Sequence, residues 1–597
     1  MSESRDPRFL SLYHDALSGR LSRRQVLRRG AALGLSAGAV GVLLAACGGT
    51  STGGTTTAAT GTTSTSSGGA SGAASTASAS TSAASPTTAA VGGGTAKQGG
   101  SITIGTLGEA SSINPIAGAE SEGTWRTQML FDQLVTVDPS TLKPAPSIAK
   151  SWDVNNLTYT FHLRDNVKFS DGTGLTADDI AFTIKAMIDK KNASQYQSYY
   201  LSIQGANDYA SGTATDVSGI KVVDPMTISL TLANPDAAFI FNLRFVKPIP
   251  SKMLQGKDLS KASKDPFWQK PIGAGPFQFV SWTTGGDFVA SRNPNYYGAP
   301  MPYLDKFTHR VIADSDSLVN ALLSGGIDGT IYADPGASKQ IQSNSGLNVL
   351  TPPFAEVDGW TYSFKNAYLA KKEVRQAVAY ALDMTQFAKD SLYDLGKPAT
   401  GPILPNMYAY DKTLKPTAYD PEKAKSLLQQ AGTPPAGIVF ATNQGNVLRQ
   451  DYLTYTQQAL AKVGWNITPK LIEWATLVKM SQDKNFDAVT GPVAIYSNLD
   501  PSSLYTSYLT DASGNYMGYS NPQLDTLLKQ AKQELDIAKQ IPLYAQIQQI
   551  LVEDMPANYS WYRPYIHVVS KKFAGYVVQN VLPEGVFNAL QTVYVNG

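Results

Sequence analysis

Apolar and polar residues alternate from Leu157 to Leu163, the period-two pattern of a strand with one face buried. Asp171-Gly172 follows as a turn, and the period then changes. Thr176 opens a segment in which Ile180, Ile184 and Met187 share one helical face, with Asp178 and Asp179 near the positive end of the helix dipole. Further along, Asp420 and Pro421 read as N-cap and first helical position. Ala424, Leu427, Leu428 and Ala431 form the apolar stripe of that helix, and Gly432 ends it. A second helix is predicted from about Arg449 to Val463, stopped by Gly464 and followed by a strand over 466–472. This helix–strand rhythm between Asp420 and Asp487 predicts an α/β lobe. No period of about 20 to 50 residues recurs, which excludes a solenoid.

The N-terminal region lacks such patterning. Residues 48–96 are almost wholly Ser, Thr, Gly and Ala, with no charged or aromatic side chain. Such a segment buries too little apolar surface to offset ordering entropy, so residues 47–97 read as a flexible tether with a root-mean-square span of about 40 Å. Order is predicted to begin at the Gly99-Gly100 turn, which leads into a short strand from Ser101. Ahead of the tether, Arg23 and Arg24 precede an apolar run of about 16 residues, too short to span a bilayer core. Residues 1–46 resemble a twin-arginine export signal, with Val26 where that class usually has Phe. Leu44-Ala45-Ala46-Cys47 resembles the lipobox of bacterial lipoproteins, which implies cleavage before Cys47 and a diacylglycerol on its thiol. Cys47 is the only cysteine of the chain. The expectation is an exported protein held by a lipid anchor at the outer face of the cell membrane or in the periplasm.

A single cysteine excludes intramolecular disulfides, so stability must come from a large core. The chain of 597 residues, 42% of them hydrophobic, is long enough for two to four domain-sized units. Removing the seven Arg and three acidic residues that precede Cys47 leaves 42 basic against 44 acidic residues. Without a basic stripe, nucleic acid is excluded as a partner. Thirty Tyr and eight Trp against four His favour binding by stacking and hydroxyl contacts over acid–base chemistry. From Gly99 onward there is no Gly-x-Ser-x-Gly, His-Glu-x-x-His or cysteine cluster, and His162, His309 and His567 lie far apart. No catalytic set, cofactor or metal site is therefore expected. Gly273-Ala274-Gly275 resembles a phosphate loop, but Pro276 removes an amide such a loop needs, so the segment reads as a scaffold turn.

Three groups of residues carry a family resemblance. Residues 146–152, 157–173 and 175–180 resemble the signature of extracellular solute-binding proteins of family 5, the peptide/nickel-type binding proteins of ATP-binding cassette importers. Residues 271–279, 292–298 and 303–306 are similar to that family's second conserved stretch, and Val374-Arg375-Gln376-Ala377 with Ala381-Leu382-Asp383 to a third. The resemblance implies an α/β, two-lobed periplasmic-binding-protein-like fold of class II type with an inserted third domain. By analogy the first lobe comprises 98–142, 271–362 and 556–597, the insertion 143–270 and the second lobe 363–555. Implied partners are a small solute (peptide or oligosaccharide) and ABC permease subunits, for a protein that acts as a monomer.

Peptide-binding relatives stack on their ligand with a Trp that follows a Glu, and anchor its amino terminus with an Asp just upstream of an acidic-Pro pair. Here Glu473-Trp474 and Asp500-Pro501 match, whereas the anchoring position aligns with neutral Tyr496 or Ser497. The positions of the carboxylate-pairing arginines fall near neutral Ser481 and Thr490. The resemblance thus implies ligand contacts from Trp474, Tyr496, Ser497, Asn498 and Asp500. Glu122 and Trp125, in a matching loop, and Trp360 and Tyr362, near the lobe crossing, join them as candidates. Each has a packing alternative: Trp125 and Trp474 also fit a core, Trp360 and Tyr362 alternate as a strand does, and Asp500 before Pro501 forms turns. Peptide import is the leading reading. The alternatives are a binder of neutral oligosaccharide or modified peptide, or a sensory or structural lipoprotein without a transporter.

Overall fold

The computed structural model describes residues 96–596 apart from 111, 118–120, 139–142, 260–265, 332, 334, 351–353, 355, 496–499, 513, 564 and 578–588. The signal peptide, nearly all of the tether, Cys47, Tyr496, Ser497 and Asn498 lie outside the described residues.

The capping signals place helices where the sequence predicts them. Asp420 accepts from the Lys423 amide at 2.9 Å, Pro421 opens the helix Pro421–Ala431, and Gly432 ends it with φ 90°. Asn446 likewise accepts from the Arg449 amide and starts the helix Val447–Lys462. In the helix Ala177–Ile188 the Asp179 carboxylate does two jobs. One oxygen accepts from the Thr176 amide at 2.9 Å, and the other accepts from the Ser251 amide and hydroxyl at 2.8 and 2.7 Å. A local cap thereby becomes a tertiary tie.

Three larger sheets follow. The seven-stranded sheet runs Leu347–Leu350, His567–Ser570, Gly329–Thr330, Ser101–Thr106, Lys306–Val311, Asp287–Arg292 and Phe277–Trp282, with Ser101–Thr106 parallel to Lys306–Val311. The six-stranded sheet runs Lys397–Pro398, Ala557–Tyr562, Glu356–Tyr362, Ala488–Ile495, Val439–Asn443 and Thr468–Ile472, the last three parallel. The four-stranded antiparallel sheet, Ala149–Asn155, Thr158–Leu163, Thr227–Thr231 and Ile220–Asp224, lies within the expected insertion. Its apolar residues Tyr159, Phe161 and Leu163 alternate inward as the sequence predicts. They join a core that is continuous with the seven-stranded sheet through Ile180, Trp125, Phe277 and Phe307. The insertion therefore shares the first lobe's core. The second lobe has its own, built around Trp360, Tyr452, Trp465 and Trp561.

The lobe boundaries implied by the resemblance need one correction. Residues 356–362 and 557–562, grouped with the first lobe, pair with each other and with Ala488–Ile495 in the six-stranded sheet. Gly359 makes this pairing possible: a Cβ there would lie 1.7 Å from the Asn558 carbonyl oxygen. The crossings between the two large sheets thus fall between Leu350 and Glu356 and between Tyr562 and His567. Gly273 and Gly275 also serve close approach. A Cβ on either would lie within 2.5 Å of the Leu130 backbone, and the Gly275 amide donates to the Leu130 carbonyl at 2.9 Å. The segment is a scaffold turn. The insertion meets the second lobe where the Ala237 amide donates to the Lys532 carbonyl at 2.9 Å, with the Lys532 ammonium 3.7 Å from Asp236.

Candidate ligand site

In an open α/β sheet, ligands bind beyond the carboxyl ends of the parallel strands. In the second lobe those ends lead to Asn443, to Glu473 and Trp474, and to the segment before Asp500. Trp474 begins the helix Trp474–Gln482 and is 42% exposed. Its ring faces the guanidinium of Arg449, with 5.8 Å between the guanidinium carbon and the ring centre.

Arg449 belongs to a buried group of four charges. It donates to Asp358 at 2.9 Å and lies 3.6 Å from Glu356, while Arg563 donates to Glu356 at 2.8 Å and lies 3.7 Å from Asp358. Both acids start the strand Glu356–Tyr362, at one crossing, and Arg563 follows the last strand residue at the other. Irregular pairing flanks Asp358 on both sides: the register shifts between Val357 and Asp358 toward one neighbour strand and between Asp358 and Gly359 toward the other. Such irregularities re-aim side chains, and here they accompany a charge placed where strand alternation alone would put packing. Burying each ion costs several kcal/mol, which the mutual pairing offsets only in good geometry. For Arg563, burial acts to lower the pKa, but Tyr565, Glu356 and Asp358 outweigh it and raise the value. One Asp358 oxygen, the Arg449 Nε and the Thr490 hydroxyl are buried with no hydrogen-bond partner among the described residues.

The other expected residues have different surroundings. Trp360 is fully buried, donates from its indole nitrogen to the Thr456 hydroxyl at 3.0 Å, and meets Phe440 edge-on at 4.8 Å. Tyr362 is fully buried beside it in the same core, and burial raises its pKa. Trp125 packs under the seven-stranded sheet, 4.6 Å from His309 and 5.8 Å from Phe307. The packing alternative describes the surroundings of all three. Glu122 stands at the carboxyl end of Ser101–Thr106 and accepts from the Thr106 hydroxyl at 3.3 Å. Asp500 is buried, and its carboxylate accepts from the Ser502 amide at 2.8 Å and the Tyr408 hydroxyl at 3.3 Å. Burial raises its pKa. Asp500 thus makes the turn that leads into the helix Ser503–Tyr508. Ser481 bonds back to the Leu477 carbonyl at 3.0 Å within its helix.

Among the expected residues the structure therefore brings only Trp474 against the charged group, and Glu356, Asp358, Arg449 and Arg563 were missed. Two signals point to them. Glu356 and Asp358 put acids at alternate positions of an otherwise apolar strand, and Arg449 sits in the first turn of a helix that follows a parallel strand.

Comparison with known proteins shows the family and the fold. The family model "bacterial extracellular solute-binding proteins, family 5 Middle" matches residues 143–516. The chain belongs to this family and is an extracellular solute-binding protein. It is 28% identical over 508 residues to the oligopeptide-binding protein AppA of Bacillus subtilis, covering 81% of this chain and 90% of AppA. The structure of that protein in complex with a nonapeptide superimposes with a TM-score of 0.76, covering 84% of this chain and all of the other at 25% identity. The binding protein AgaA of A. tumefaciens R10, solved with agropinic acid, superimposes with a TM-score of 0.72 at 25% identity, covering 83% and 99% of the two chains.

Proposed function

We propose that this protein captures a peptide-type solute between its two lobes and delivers it to the permease subunits of an ATP-binding cassette importer. The carrying observation is the exposed Trp474 ring over Arg449 at the carboxyl ends of the second lobe's parallel strands, beside a charged group that straddles both crossings. A ring and a guanidinium in contact suit an extended backbone with a carboxylate, as the oligopeptide-binding relative's nonapeptide supplies. Hydrolysis of ATP falls to the partner ATPase, and this chain's work is binding. The twin-arginine signal and the lipid on Cys47 belong to the same proposal, resting on residues 22–47. Fatty-acid labelling should mark the wild type and be abolished by Cys47→Ser.

A second reading, a modified peptide or a neutral oligosaccharide, is favoured by one observation. Arg449 and Arg563 are already neutralised by Asp358 and Glu356, so the group carries no net charge to offer a free carboxylate. Calorimetry separates the readings: tripeptides with free termini against the same peptides acetylated and amidated, and against a neutral oligosaccharide. The first reading predicts that capping the carboxylate weakens binding at least about tenfold. Equal affinity for capped and free peptides contradicts it.

A further inference from the structure

The helix Trp474–Gln482 covers only part of one face of the six-stranded sheet. Its nine residues span about 13 Å, and its Leu477 seals a small core with Ala441, Ile472 and Val489. At the other end of the same sheet face, beside the first residues of the strands Val439–Asn443 and Ala488–Ile495, the structure leaves a cavity of about 690 Å³. Val439, Ala441, Met480 and Phe486 give it an apolar floor. This is the amino end of the parallel strands, opposite the end that carries Trp474 and Arg449.

Three lysines from three different elements rim the opening: Lys365 after the strand Glu356–Tyr362, Lys470 in the edge strand Thr468–Ile472, and Lys484 in the turn after the helix. None forms an ion pair among the described residues, whereas neighbouring Lys479 pairs with Asp483 at 2.8 Å. The one carboxylate in the wall, Asp487, is occupied. It accepts from the Val439 amide at 2.9 Å and from the Asn366 side-chain amide at 2.8 Å. Asp487 thus shapes the floor and leaves the rim with an excess of positive charge. Like charges held around one opening repel, and a bound anion relieves that repulsion.

We infer that this cavity is a second binding site, for an organic anion with an apolar body: a carboxylate, sulfonate or phosphate at the lysine rim and a ring or short alkyl chain on the floor. The inference goes beyond the solute site and stands or falls separately from it. Its test is a fluorescence titration of the full chain with 8-anilino-1-naphthalenesulfonate. The expected result is saturable binding that weakens about thirtyfold in the Lys470→Glu/Lys484→Glu double variant and less in Lys470→Gln/Lys484→Gln. Binding is expected to be unchanged in Trp474→Ala. The uncharged N-phenyl-1-naphthylamine, which shares the rings and lacks the sulfonate, is expected to bind at least about tenfold more weakly. Unaltered melting temperatures establish that the variants are folded. Absence of saturable binding, equal affinity in the lysine variants, equal affinity for the uncharged dye, or loss on Trp474→Ala would each overturn the inference.

Discussion

Each large lobe buries an arginine against aromatic rings, and the two arginines stand in different circumstances. In the first lobe, Arg126 is fully enclosed. Its Nε donates to His309 Nδ1 at 3.0 Å, it pairs with Glu109 at 2.7 Å, and its guanidinium lies 5.0 and 5.3 Å from the Trp282 and Phe288 ring centres. Of these rings Phe288 is fully buried and Trp282 partly buried, and the arginine itself is enclosed among them. In the second lobe, Arg449 is also buried, but the ring over it, Trp474, is 42% exposed, and Arg449 Nε has no hydrogen-bond partner among the described residues. On the proposed reading, the arginine under the more exposed ring belongs to the solute site and the one enclosed with His309 and Glu109 belongs to the fold. Burial of the charge alone does not tell the two apart.

The comparison predicts effects that divide between stability and binding. The largest is in the first lobe. Arg126→Met should cost about 3 kcal/mol or more, because it leaves His309 and Glu109 without their shared partner. Urea unfolding checks this, with ligand affinity of the folded fraction unchanged. Next comes acid. Burial first, and the Arg126 charge second, hold the His309 pKa well below its usual 6.5, and burial pushes His567 down to about 3. Both imidazoles stay neutral in the folded protein while the unfolded chain takes up protons below about pH 6.5. Stability must therefore fall as pH drops from about 6.5 toward 3, by up to about 1.4 kcal/mol per unit and per histidine. His567→Gln should flatten that slope in pH-dependent unfolding. Both residues lie in the seven-stranded sheet, so hydrogen exchange at pH 5 should rise there before it rises in the second lobe.

Binding effects belong to the second lobe. Arg449→Gln should lower solute affinity by about 100-fold and, because it leaves buried Asp358 and Glu356 with Arg563 as their one cation, should also cost about 3 kcal/mol. Trp474→Ala should weaken binding by about tenfold and change stability by no more than about 1 kcal/mol, since the residue is 42% exposed and closes no sealed core. Calorimetry and thermal unfolding on the same samples read both. An Arg449 variant that loses stability yet binds normally would erase the distinction between the lobes.

What the sequence made legible was whatever local chemistry decides. Asp420, Pro421 and Gly432 delimit a helix by themselves, and Pro276 after Gly273-Ala274-Gly275 is enough to reject a phosphate loop. The site was legible only at Trp474. The alternation of Trp360 and Tyr362 fits a buried strand and a cleft wall equally well, and only the partners contributed by Thr456 and Phe440, far away in sequence, decide between them. Asp358 owes its role to irregular pairing with two distant strands, and Arg449 to a sheet order that brings its helix beside the crossings. The motif positions at Ser481 and Thr490 directed attention to neutral residues, while the cations enter from other elements. The family resemblance supplied the fold, but its boundaries shifted because Gly359 draws two crossing strands into the second lobe's sheet.

The most direct test of solute capture at the second lobe's strand ends is calorimetric titration of free di- to pentapeptides into the wild type, Arg449→Gln and Arg126→Gln. The account predicts micromolar or tighter binding by the wild type and by whatever fraction of Arg126→Gln remains folded, and its loss in Arg449→Gln. Peptide binding of wild-type strength in Arg449→Gln would contradict it.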